Sequence, residues 1–419
     1  MNKLVIFFFQ SAVLLLIDYH IDRAITIASA NFNIFWQKII RSGMWVLSAL
    51  AIIALMWYQF ADPLQAQIEL RQTIIIVVIM IYVSKLVTML FILVDDIRMG
   101  IHRLRNFFLK KKNRDELPGL PITRSKFLAK TALVAGAAPF SAMVFGIVSG
   151  ATNYQVTRKK IVLPHLPKAF DGIRIGQLSD IHAGTYYNRI GVKGGVEMML
   201  AEKADVIFFT GDLVNTQTSE VNDYMTIFDK LRAPLGVFSV TGNHDYGNYR
   251  LWPDEKSKQR NFEDMVEAHR LLGYDLLMNE HRFLEMGGDK LAIIGVENWG
   301  VGPSHRFPKY GKLDVASAQT EDASVKLLLS HDPSHWDAQI RPAFSDIDIT
   351  FAGHTHGFQM GVKIGDMRWS PAQYRFKQWA GLYQEGKQYL YVNQGFGCIG
   401  YPGRIGMPPE LTIIELKRS

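Results

Sequence analysis

Apolar residues are arranged differently in the two parts of this 419-residue chain. Up to about Gly150 they form long, nearly uninterrupted stretches, whereas beyond Arg158 they form short runs that alternate with polar segments. Stretches of ~20 apolar residues can cross a bilayer as helices, while short runs bounded by turns are typical of buried strands. The pattern therefore predicts a transmembrane helical region, residues 1–150, followed by an α/β domain, residues 151–419.

The first region contains four apolar stretches that predict four membrane spans. They cover residues 4–27, 42–60, 73–94 and 131–150. A signal peptide is the alternative for the first stretch, but its small-residue cleavage site is poorly formed and further spans follow. Asp18 and Lys85 fall inside the stretches, where charges are costly and usually paired. We weigh an Asp18–Lys85 contact equally against snorkelling of both side chains to the membrane interface.

Charge is unevenly distributed along the chain. Residues 1–157 carry a net charge of +8, and the remainder carries −1. The densest basic segment lies between Val94 and Thr131, which predicts a cytoplasmic loop there. The second domain is then expected outside the cytoplasm, in an integral protein of the plasma (inner) membrane, although the basic link Arg158-Lys159-Lys160 counts against this orientation. Because that domain has no basic excess, no nucleic-acid partner is expected.

Polar residues that can bind metals follow five of the short apolar runs in the second domain. The runs 173–178, 206–209, 237–240, 326–329 and 347–351 lead into Asp180, Asp212, Asn243, His331 and His354. The carboxyl ends of strands in open α/β sheets are where ligands bind. Spacings of 32 and 31 residues between the first three positions fit βαβ crossovers, with helices predicted at 191–202 and 220–231. Further runs at 291–296, 389–392 and 411–416 suggest two sheets packed face to face with helices outside.

The residue types at this predicted edge suit two divalent cations. Asp180 and His182 alternate along extended chain and should point to the same side. Asp212 has two oxygens that can bridge two metals, and Gly211 before it allows a close backbone approach. Asn243 offers a neutral oxygen ligand.

The histidines narrow the choice of metal. His354 and His356 flank a turn that can aim them at different metals, and His331 is preferred over the nearby His335 because it directly follows a strand. Mixed oxygen and nitrogen ligands favour Mn, Fe or Zn over magnesium. The single cysteine, Cys398, excludes a disulfide and a cysteine-rich zinc site.

Two metals ~3.5–4 Å apart can clamp the attacking and leaving oxygens of an in-line displacement at phosphorus, with a water between them as the nucleophile. A general acid must then protonate the leaving oxygen. His244 directly follows a predicted ligand and can supply that proton, with Asp245 orienting or tuning it. The candidate reaction is therefore phosphoester hydrolysis.

The second domain resembles the calcineurin-like metallophosphoesterases over roughly residues 172–416. The similarity is carried by Asp180-Ile181-His182, Gly211-Asp212, Gly242-Asn243-His244-Asp245, His331 and Gly353-His354-Thr355-His356-Gly357. It implies a four-layer αββα sandwich. By this resemblance, one metal binds Asp180, His182, Asp212 and His356, and the other binds Asp212, Asn243, His331 and His354. His244 is then the residue that stabilises the transition state and protonates the leaving group.

The C-terminal sequence is similar to a membrane-tethered bacterial branch of that family. Gly395-Phe396-Gly397 and the segment 409–414 carry this likeness. Some members of the branch cleave the pyrophosphate of UDP-2,3-diacylglucosamine. Phe358 departs from the pattern, because the branch commonly has a second glycine before Gln359. The departure affects the substrate rim and leaves the metal set intact.

These observations predict a membrane-anchored, dinuclear metal-dependent phosphodiesterase or pyrophosphatase. The expected partners are the lipid bilayer and a phosphoester substrate such as a phospholipid or nucleotide-linked lipid, because the anchor confines the enzyme near lipid. A UDP-2,3-diacylglucosamine-type pyrophosphatase in lipid A synthesis is an alternative that the expected outside placement disfavours. A non-catalytic membrane sensor or scaffold with a structural metal site is another alternative, which His244 argues against. Ion transport that uses Asp18 and Lys85 is a third alternative, with weaker support.

Three other features allow more than one interpretation. Asn215 is expected to cap a helix rather than touch substrate, and segment 246–262 is expected to be a surface insertion rather than a lid. An aromatic cluster near the end of the chain fits a lipid-facing rim, core packing or an interfacial belt equally well. Its members are Trp369, Tyr374, Phe376, Trp379 and Tyr383.

Overall fold

The computed structural model describes residues 2–61, 68–108, 124–302, 309–364 and 367–419. The chain divides into two compact units, Met1–Val144 and Phe145–Ser419. Lys110, Lys111, Lys112 and Arg114, which belong to the basic segment used to predict orientation, lie outside the described residues.

Long apolar helices build the first part of the chain. They are α1 Lys3–Ala28, α2 Ile34–Phe60, α3 Ile68–Phe108 and α4 Arg124–Val148. Asn2 and Asn33 cap the first two helices by accepting hydrogen bonds from backbone N–H groups of the first turn. Four segments within the described residues are long and apolar enough to cross a membrane: Lys3–Ala28, Ile34–Phe60, Leu70–Arg98 and Lys126–Thr152. The four predicted stretches are therefore confirmed as apolar helices that are long enough to span a membrane.

The two charges within the apolar helices contact each other. Lys85 Nζ lies 2.6 Å from Asp18 Oδ1, and Asp18 is fully buried. Tyr82 donates a hydrogen bond to the second carboxylate oxygen at 2.7 Å, and Lys85 also donates to Ser48 Oγ. Pairing between helices satisfies both charges within the apolar helices. The predicted Asp18–Lys85 contact is confirmed, whereas the alternative, in which both side chains snorkel to the membrane interface, does not agree with the structure.

The second unit contains two six-stranded sheets and a two-stranded ribbon among the described residues. The strands are β1 Gln155–Val162, β2 Arg174–Leu178, β3 Val206–Phe209, β4 Val237–Ser239, β5 Asp275–Leu276, β6 Glu280–Met286, β7 Asp289–Gly295, β8 Val325–Leu329, β9 Ile349–Ala352, β10 Val362–Ile364, β11 Met367–Trp369, β12 Gly381–Glu385, β13 Gln388–Val392 and β14 Glu410–Lys417. The first sheet has the order β1-β14-β2-β3-β4-β5 and the second β12-β13-β9-β8-β7-β6. Strands β2, β3 and β4 run parallel, as do β7, β8 and β9.

The two sheets pack face to face and carry helices on their outer sides. Phe208 of β3 and Phe351 of β9 meet between the sheets with ring centroids 4.9 Å apart. Neighbouring Phe209 points outward into a core shared with helices, as does Ile294 of the second sheet. The helices of this unit are α5 Arg189–Ala201, α6 Met225–Phe228, α7 Glu255–Leu272, α8 Leu313–Ala316 and α9 Arg341–Ala343. The predicted α/β fold with αββα layering is confirmed, and burial of both sheet faces explains the continuous apolar runs.

The second crossover differs from the predicted helix at 220–231. The structure has a 3-10 helix, Thr218–Tyr224, followed by the single turn α6. Serine, asparagine and aspartate in this stretch offer the backbone alternative hydrogen bonds, which disfavours a regular α-helix. The first crossover helix, predicted at 191–202, is confirmed as α5.

The basic link Arg158-Lys159-Lys160 lies within β1, which forms one edge of the first sheet. Charged side chains on an edge strand discourage pairing with strands of other molecules. These residues therefore have a structural role in the sheet in addition to any effect on membrane topology, and the orientation stays a prediction.

Candidate metal centre

The predicted ligands follow strands that end at the same edge of the two sheets. Asp180 follows β2, Asp212 follows β3, and Asn243 follows β4. His331 and His354 follow the neighbouring parallel strands β8 and β9 in the second sheet. Since parallel strands finish side by side, their connecting loops meet there. Six of the seven predicted ligands form two groups at this edge that adjoin at Asp212, and the seventh, Asn243, lies at the end of β4 beside them.

The first group consists of Asp180, His182 and His356. Their potential ligand atoms all lie within 4.8 Å of one another. His182 Nε2 is 3.0 Å from His356 Nε2, and the latter nitrogen is 3.2 Å from Asp180 Oδ1. All three side chains are buried. Nitrogen and carboxylate lone pairs that converge at this spacing can surround one cation.

The second group consists of Asp212, His331 and His354, again with potential ligand atoms within 4.8 Å of one another. His331 Nε2 lies 3.1 Å from Asp212 Oδ2, and His354 Nδ1 lies 3.3 Å from His331 Nε2. The structure thus places His354 and His356 in different groups, as their flanking turn suggests.

One carboxylate oxygen of Asp212 faces both groups. Asp212 Oδ2 is 3.5 Å from His182 Nε2 and 3.1 Å from His331 Nε2. Its other oxygen accepts the backbone N–H of His244 at 2.8 Å. Burial raises the pKa of Asp212, but His331 and His244 outweigh it and hold this pKa well below its usual value. Asp212 is therefore ionised, and one of its carboxylate oxygens lies between the two groups of potential ligands.

Asn243 presents an acceptor that lacks a hydrogen-bond donor. Its Oδ1 is buried without a partner in the described part of the chain, while its Nδ2 donates to the hydroxyl of Tyr249 at 2.6 Å. A buried carbonyl oxygen without a donor is costly unless a cation or water satisfies it. Together with the two ligand groups, this oxygen shows that the residues present fit a dinuclear metal centre.

Hydrogen bonds outside the groups orient the histidine rings. His331 Nδ1 donates to the carbonyl of Thr210 at 2.7 Å, which leaves Nε2 facing the centre. Burial lowers the pKa of His331, but the charge of Asp212 outweighs it and raises this pKa to about 10. His335, the alternative ligand, is held by Ser330 and Gln339 instead. The preference for His331 over His335 agrees with this geometry.

The backbone at five of the seven predicted ligands is left-handed rather than extended. The φ angle is 53° at Asp180, 46° at His182, 57° at Asp212, 69° at His354 and 50° at His356. Side chains other than glycine rarely adopt this conformation, and such strain concentrates at functional sites. The expectation that Asp180 and His182 alternate along extended chain is wrong, because sharp turns bring them to the same group.

His244 is fixed by contacts on its edge and on its face. Its Nδ1 donates to the carbonyl of Asn215 at 2.6 Å, so Nε2 is the nitrogen left for proton transfer. Its ring stacks on Tyr249 with centroids 3.9 Å apart and an 8° interplanar angle. Burial lowers the pKa of His244.

Asn215 does not cap the following helix, whose N-cap is Gln217, so the capping expectation is wrong.

Asp245 holds the loops of the centre and does not contact the His244 imidazole. Its carboxylate accepts the backbone N–H groups of Gly242 at 2.8 Å, Asp212 at 3.0 Å and Leu213 at 2.8 Å. Burial and the charge of Asp212 raise the pKa of Asp245 to about 7, against the effect of these donors. Contrary to expectation, Asp245 therefore does not orient His244 by a direct contact. Instead, it positions the backbone that carries Asp212.

Two family models match the chain. One, described as Calcineurin-like phosphoesterase, matches residues 173–358. The other, described as the transmembrane domain of a calcineurin-like phosphoesterase, matches residues 2–151. The chain belongs to the calcineurin-like phosphoesterases. This phosphoesterase is accordingly a metal-dependent phosphoester hydrolase with helices that can span a membrane.

Curated relatives are also named as metallophosphoesterases. The phosphoesterase is similar to the uncharacterised metallophosphoesterase YkuE of Bacillus subtilis, with 28% identity over 63% of this chain and 84% of that protein. It is similar to a "Transmembrane protein with metallophosphoesterase domain" from Danio rerio at 28% identity and from Bos taurus at 27% identity. These two matches cover 66% of this chain and 60% of each relative. The phosphoesterase thus spans less than two thirds of the animal proteins.

Tyr249 is a residue of the phosphoesterase centre that the sequence did not single out. It lies in the segment 246–262, for which a plain surface insertion was expected, yet it contacts both Asn243 and His244. An aromatic residue four positions after the Gly242-Asn243-His244-Asp245 motif carries no periodic signal, so only the folded loop reveals the contact. Tyr249 positions a candidate ligand and the candidate acid together.

We expect Tyr249→Phe to weaken metal binding by the phosphoesterase roughly tenfold. The variant keeps the ring on His244 but removes the hydroxyl that accepts from Asn243, so the amide loses its fixed orientation. Calorimetric titration of Mn²⁺ into metal-stripped full-length protein measures the change. Tyr187→Phe is the matched control, because Tyr187 is 69% exposed. Metal affinity of Tyr249→Phe equal to that of the wild type would contradict this role.

The predicted aromatic cluster of the phosphoesterase divides into buried and exposed members. Trp379 is buried, and its backbone N–H donates a hydrogen bond to the phenol oxygen of Tyr383 at 3.1 Å. Phe376 lies edge-on against His354 with ring centroids 5.6 Å apart. Trp369 and Tyr374 are 45% and 79% exposed. Core packing therefore explains part of the cluster, and an exposed rim beside the centre explains the rest.

Proposed function

We propose that this phosphoesterase hydrolyses a phosphodiester or pyrophosphate at a membrane surface, using two divalent metals. Functionally, residues 1–150 would be the anchor and residues 151–419 the catalytic domain. The observation that carries the proposal is the single oxygen of Asp212 that faces both ligand groups. Metals held there would supply charge neutralisation of the phosphoryl oxygens and a lowered pKa for a bound water.

The ligand assignment follows the two groups. One metal would be held by Asp180, His182, Asp212 and His356, and the other by Asp212, Asn243, His331 and His354. The mixture of imidazole, carboxylate and amide ligands supports Mn, Fe or Zn. Asp245 would fix the backbone of Asp212, and Tyr249 would fix the amide of Asn243.

His244 is the proposed general acid. The hydrogen bond from its Nδ1 to Asn215 leaves Nε2 to hold the proton that passes to the leaving oxygen. The ring cannot rotate away easily, because it is stacked on Tyr249 and is only 6% exposed. A purely structural metal site would not need a histidine fixed in this way.

Lipid phosphoesters are the proposed substrate class. Helices that can span a membrane confine the enzyme near lipid, which raises the local concentration of phospholipids and nucleotide-linked lipids. A UDP-2,3-diacylglucosamine-type pyrophosphatase is the specific alternative within this class. It requires a catalytic domain in the cytoplasm, whereas the density of Lys and Arg between Val94 and Thr131 supports placement outside, at the plasma (inner) membrane.

The topology can be decided with reporters fused after Ser419. We expect alkaline phosphatase fused there to be active and green fluorescent protein to be dark, because the former folds outside and the latter inside the cytoplasm. The same reporters after Lys112 should give the opposite pattern. A fluorescent fusion after Ser419 would contradict outside placement and favour the UDP-lipid alternative.

Hydrolysis of bis-p-nitrophenyl phosphate tests the reaction itself. Full-length protein stripped with a chelator should be inactive, and reloading with Mn²⁺, Fe²⁺ or Zn²⁺ should restore turnover at two metals per chain. Metal binding at this stoichiometry without turnover of any phosphoester would favour the sensor or scaffold alternative.

A further inference from the structure

The ribbon formed by β10 and β11 has one apolar and one cationic face. Its antiparallel register pairs Val362 with Trp369 and Ile364 with Met367. Directly opposed residues lie on the same face of a ribbon, and successive residues alternate between faces. These four apolar residues therefore share one face, while the remaining pair, Lys363 and Arg368, lies on the other.

The apolar face of the ribbon is exposed. Val362 and Trp369 are each 45% exposed, Ile364 is 65% and Met367 is 64%. Phe358 and Met360, just before β10, and Tyr374, just after β11, are also exposed. A contiguous exposed apolar surface of this kind marks an interaction site, and a two-stranded ribbon gains little stability without such cover.

Both ends of the ribbon are fastened to the metal centre. β10 begins three residues after Gln359, which ends the turn that carries His356. Beyond β11, Ser370 Oγ donates to the carbonyl of Gly357 at 2.7 Å. Phe376 then packs against His354. The ribbon therefore begins and ends beside the loops that carry His354 and His356.

A lipid surface is the occupant that this chemistry favours. We propose that the apolar face of the β10–β11 ribbon inserts into an anionic bilayer surface and holds the metal centre over the lipid headgroups. Trp369 is a residue type that favours the membrane interface. Lys363, on the opposite face of the ribbon, and Arg375, which follows β11, are exposed cations that would attract anionic headgroups. Helices that can span a membrane keep the domain within reach of a bilayer.

This inference rests on the proposed function only for its catalytic consequence. Insertion of the ribbon would present phosphoesters at the bilayer surface to the centre, while a small soluble ester would reach the centre without it. The ribbon would thereby favour lipid substrates over soluble ones. Insertion itself can be measured without any turnover, so the two claims can fail separately.

The depth of the ribbon can be measured with one nitroxide label. The only cysteine, Cys398, is buried at 2% exposure, so a label on Met367→Cys reports the ribbon selectively. Lys387→Cys is the control, because the exposed turn at Lys387 precedes β13 at the strand end remote from the centre. The samples are full-length protein in vesicles of phosphatidylcholine and phosphatidylglycerol.

We expect dissolved oxygen to relax the label at position 367 more strongly than an aqueous nickel chelate, and the reverse at position 387. Equal access of the chelate to both labels would overturn the proposal. Dipolar coupling between labels at position 367 of two chains would also overturn it, because a second copy would then cover the face.

Turnover tests the catalytic consequence. Ile364→Asn/Met367→Asn should lower kcat/KM for phosphatidyl-p-nitrophenol in the same vesicles roughly tenfold, since two exposed apolar anchors are removed. Its kcat/KM for soluble bis-p-nitrophenyl phosphate should stay within about twofold, which also reports an intact fold. Equal losses on both probes, or no loss on either, would overturn the assigned role. A wild type that cleaves only the soluble probe would refute the lipid substrate and leave the depth measurement to decide insertion.

Discussion

Replacing Asp212 with asparagine is expected to lower kcat/KM for bis-p-nitrophenyl phosphate on the order of a thousandfold, about 4 kcal/mol of transition-state stabilisation. The oxygen of Asp212 that faces both ligand groups would lose its negative charge, because an amide is neutral. We expect elemental analysis of the variant to find fewer than two metals per chain.

Asp205→Asn is the matched control for this substitution. Asp205 lies immediately before β3, whereas Asp212 lies beyond its other end, and the Asp205 carboxylate accepts the backbone N–H of Arg174 at 2.7 Å. An asparagine oxygen can accept the same bond, so metal content and turnover should be preserved. An Asp212→Asn enzyme with two metals and wild-type turnover would remove the basis for a shared oxygen.

The second large effect is expected for His244→Asn. General acids contribute roughly a hundred- to ten-thousandfold to catalysis, and asparagine retains a donor for the carbonyl of Asn215 without an ionisable proton. Metal content should therefore remain at the wild-type value while kcat falls. Steady-state kinetics together with metal analysis separates this outcome from loss of the centre.

The leaving group provides a sharper test of His244. A p-nitrophenolate leaves without protonation, whereas an alkoxide needs a proton, so the loss in His244→Asn should be larger for an alkyl diester than for bis-p-nitrophenyl phosphate. His281→Asn serves as a control, because His281 lies in β6 at the far edge of the second sheet. Equal losses on both esters would show that His244 acts by some route other than proton donation.

Sequence patterns predicted the strands that end at the centre, because buried parallel strands leave unbroken apolar runs. The runs before Asp180, Asp212 and His331 correspond to β2, β3 and β8. Their order along the chain also predicted which loops would meet, since parallel strands finish at the same edge. The αββα layering was less directly encoded, and it rested on the number of strands and on the family resemblance.

Backbone conformation at the ligands was not predictable from apolar patterning. Asp180 and His182 were expected on extended chain, but both are left-handed. Asp and His are enriched in this conformation, but they adopt it too rarely for residue type to predict it. Phe358 illustrates the same point, since it has a φ of 54° where the similar branch commonly has glycine. A glycine preference at this position is explained by the turn that carries His356.

Long-range side-chain contacts were the other part that sequence could not supply. Tyr249 reaches Asn243 and His244 only through a loop whose residues follow no helical or strand period. The ribbon was likewise hidden, because β10 and β11 are three residues long and their shared apolar face depends on pairing register. The Asp18–Lys85 pair was a partial exception, because pairing was one of two equally weighted outcomes for opposite charges in apolar helices.

Anomalous diffraction from crystals of the full-length protein loaded with Mn²⁺ would show whether two metals share Asp212. We expect two peaks ~3.5–4 Å apart, one beside His182 and His356 and the other beside His331 and His354, with Asp212 Oδ2 between them. A single peak, or two peaks that do not share Asp212, would contradict this expectation.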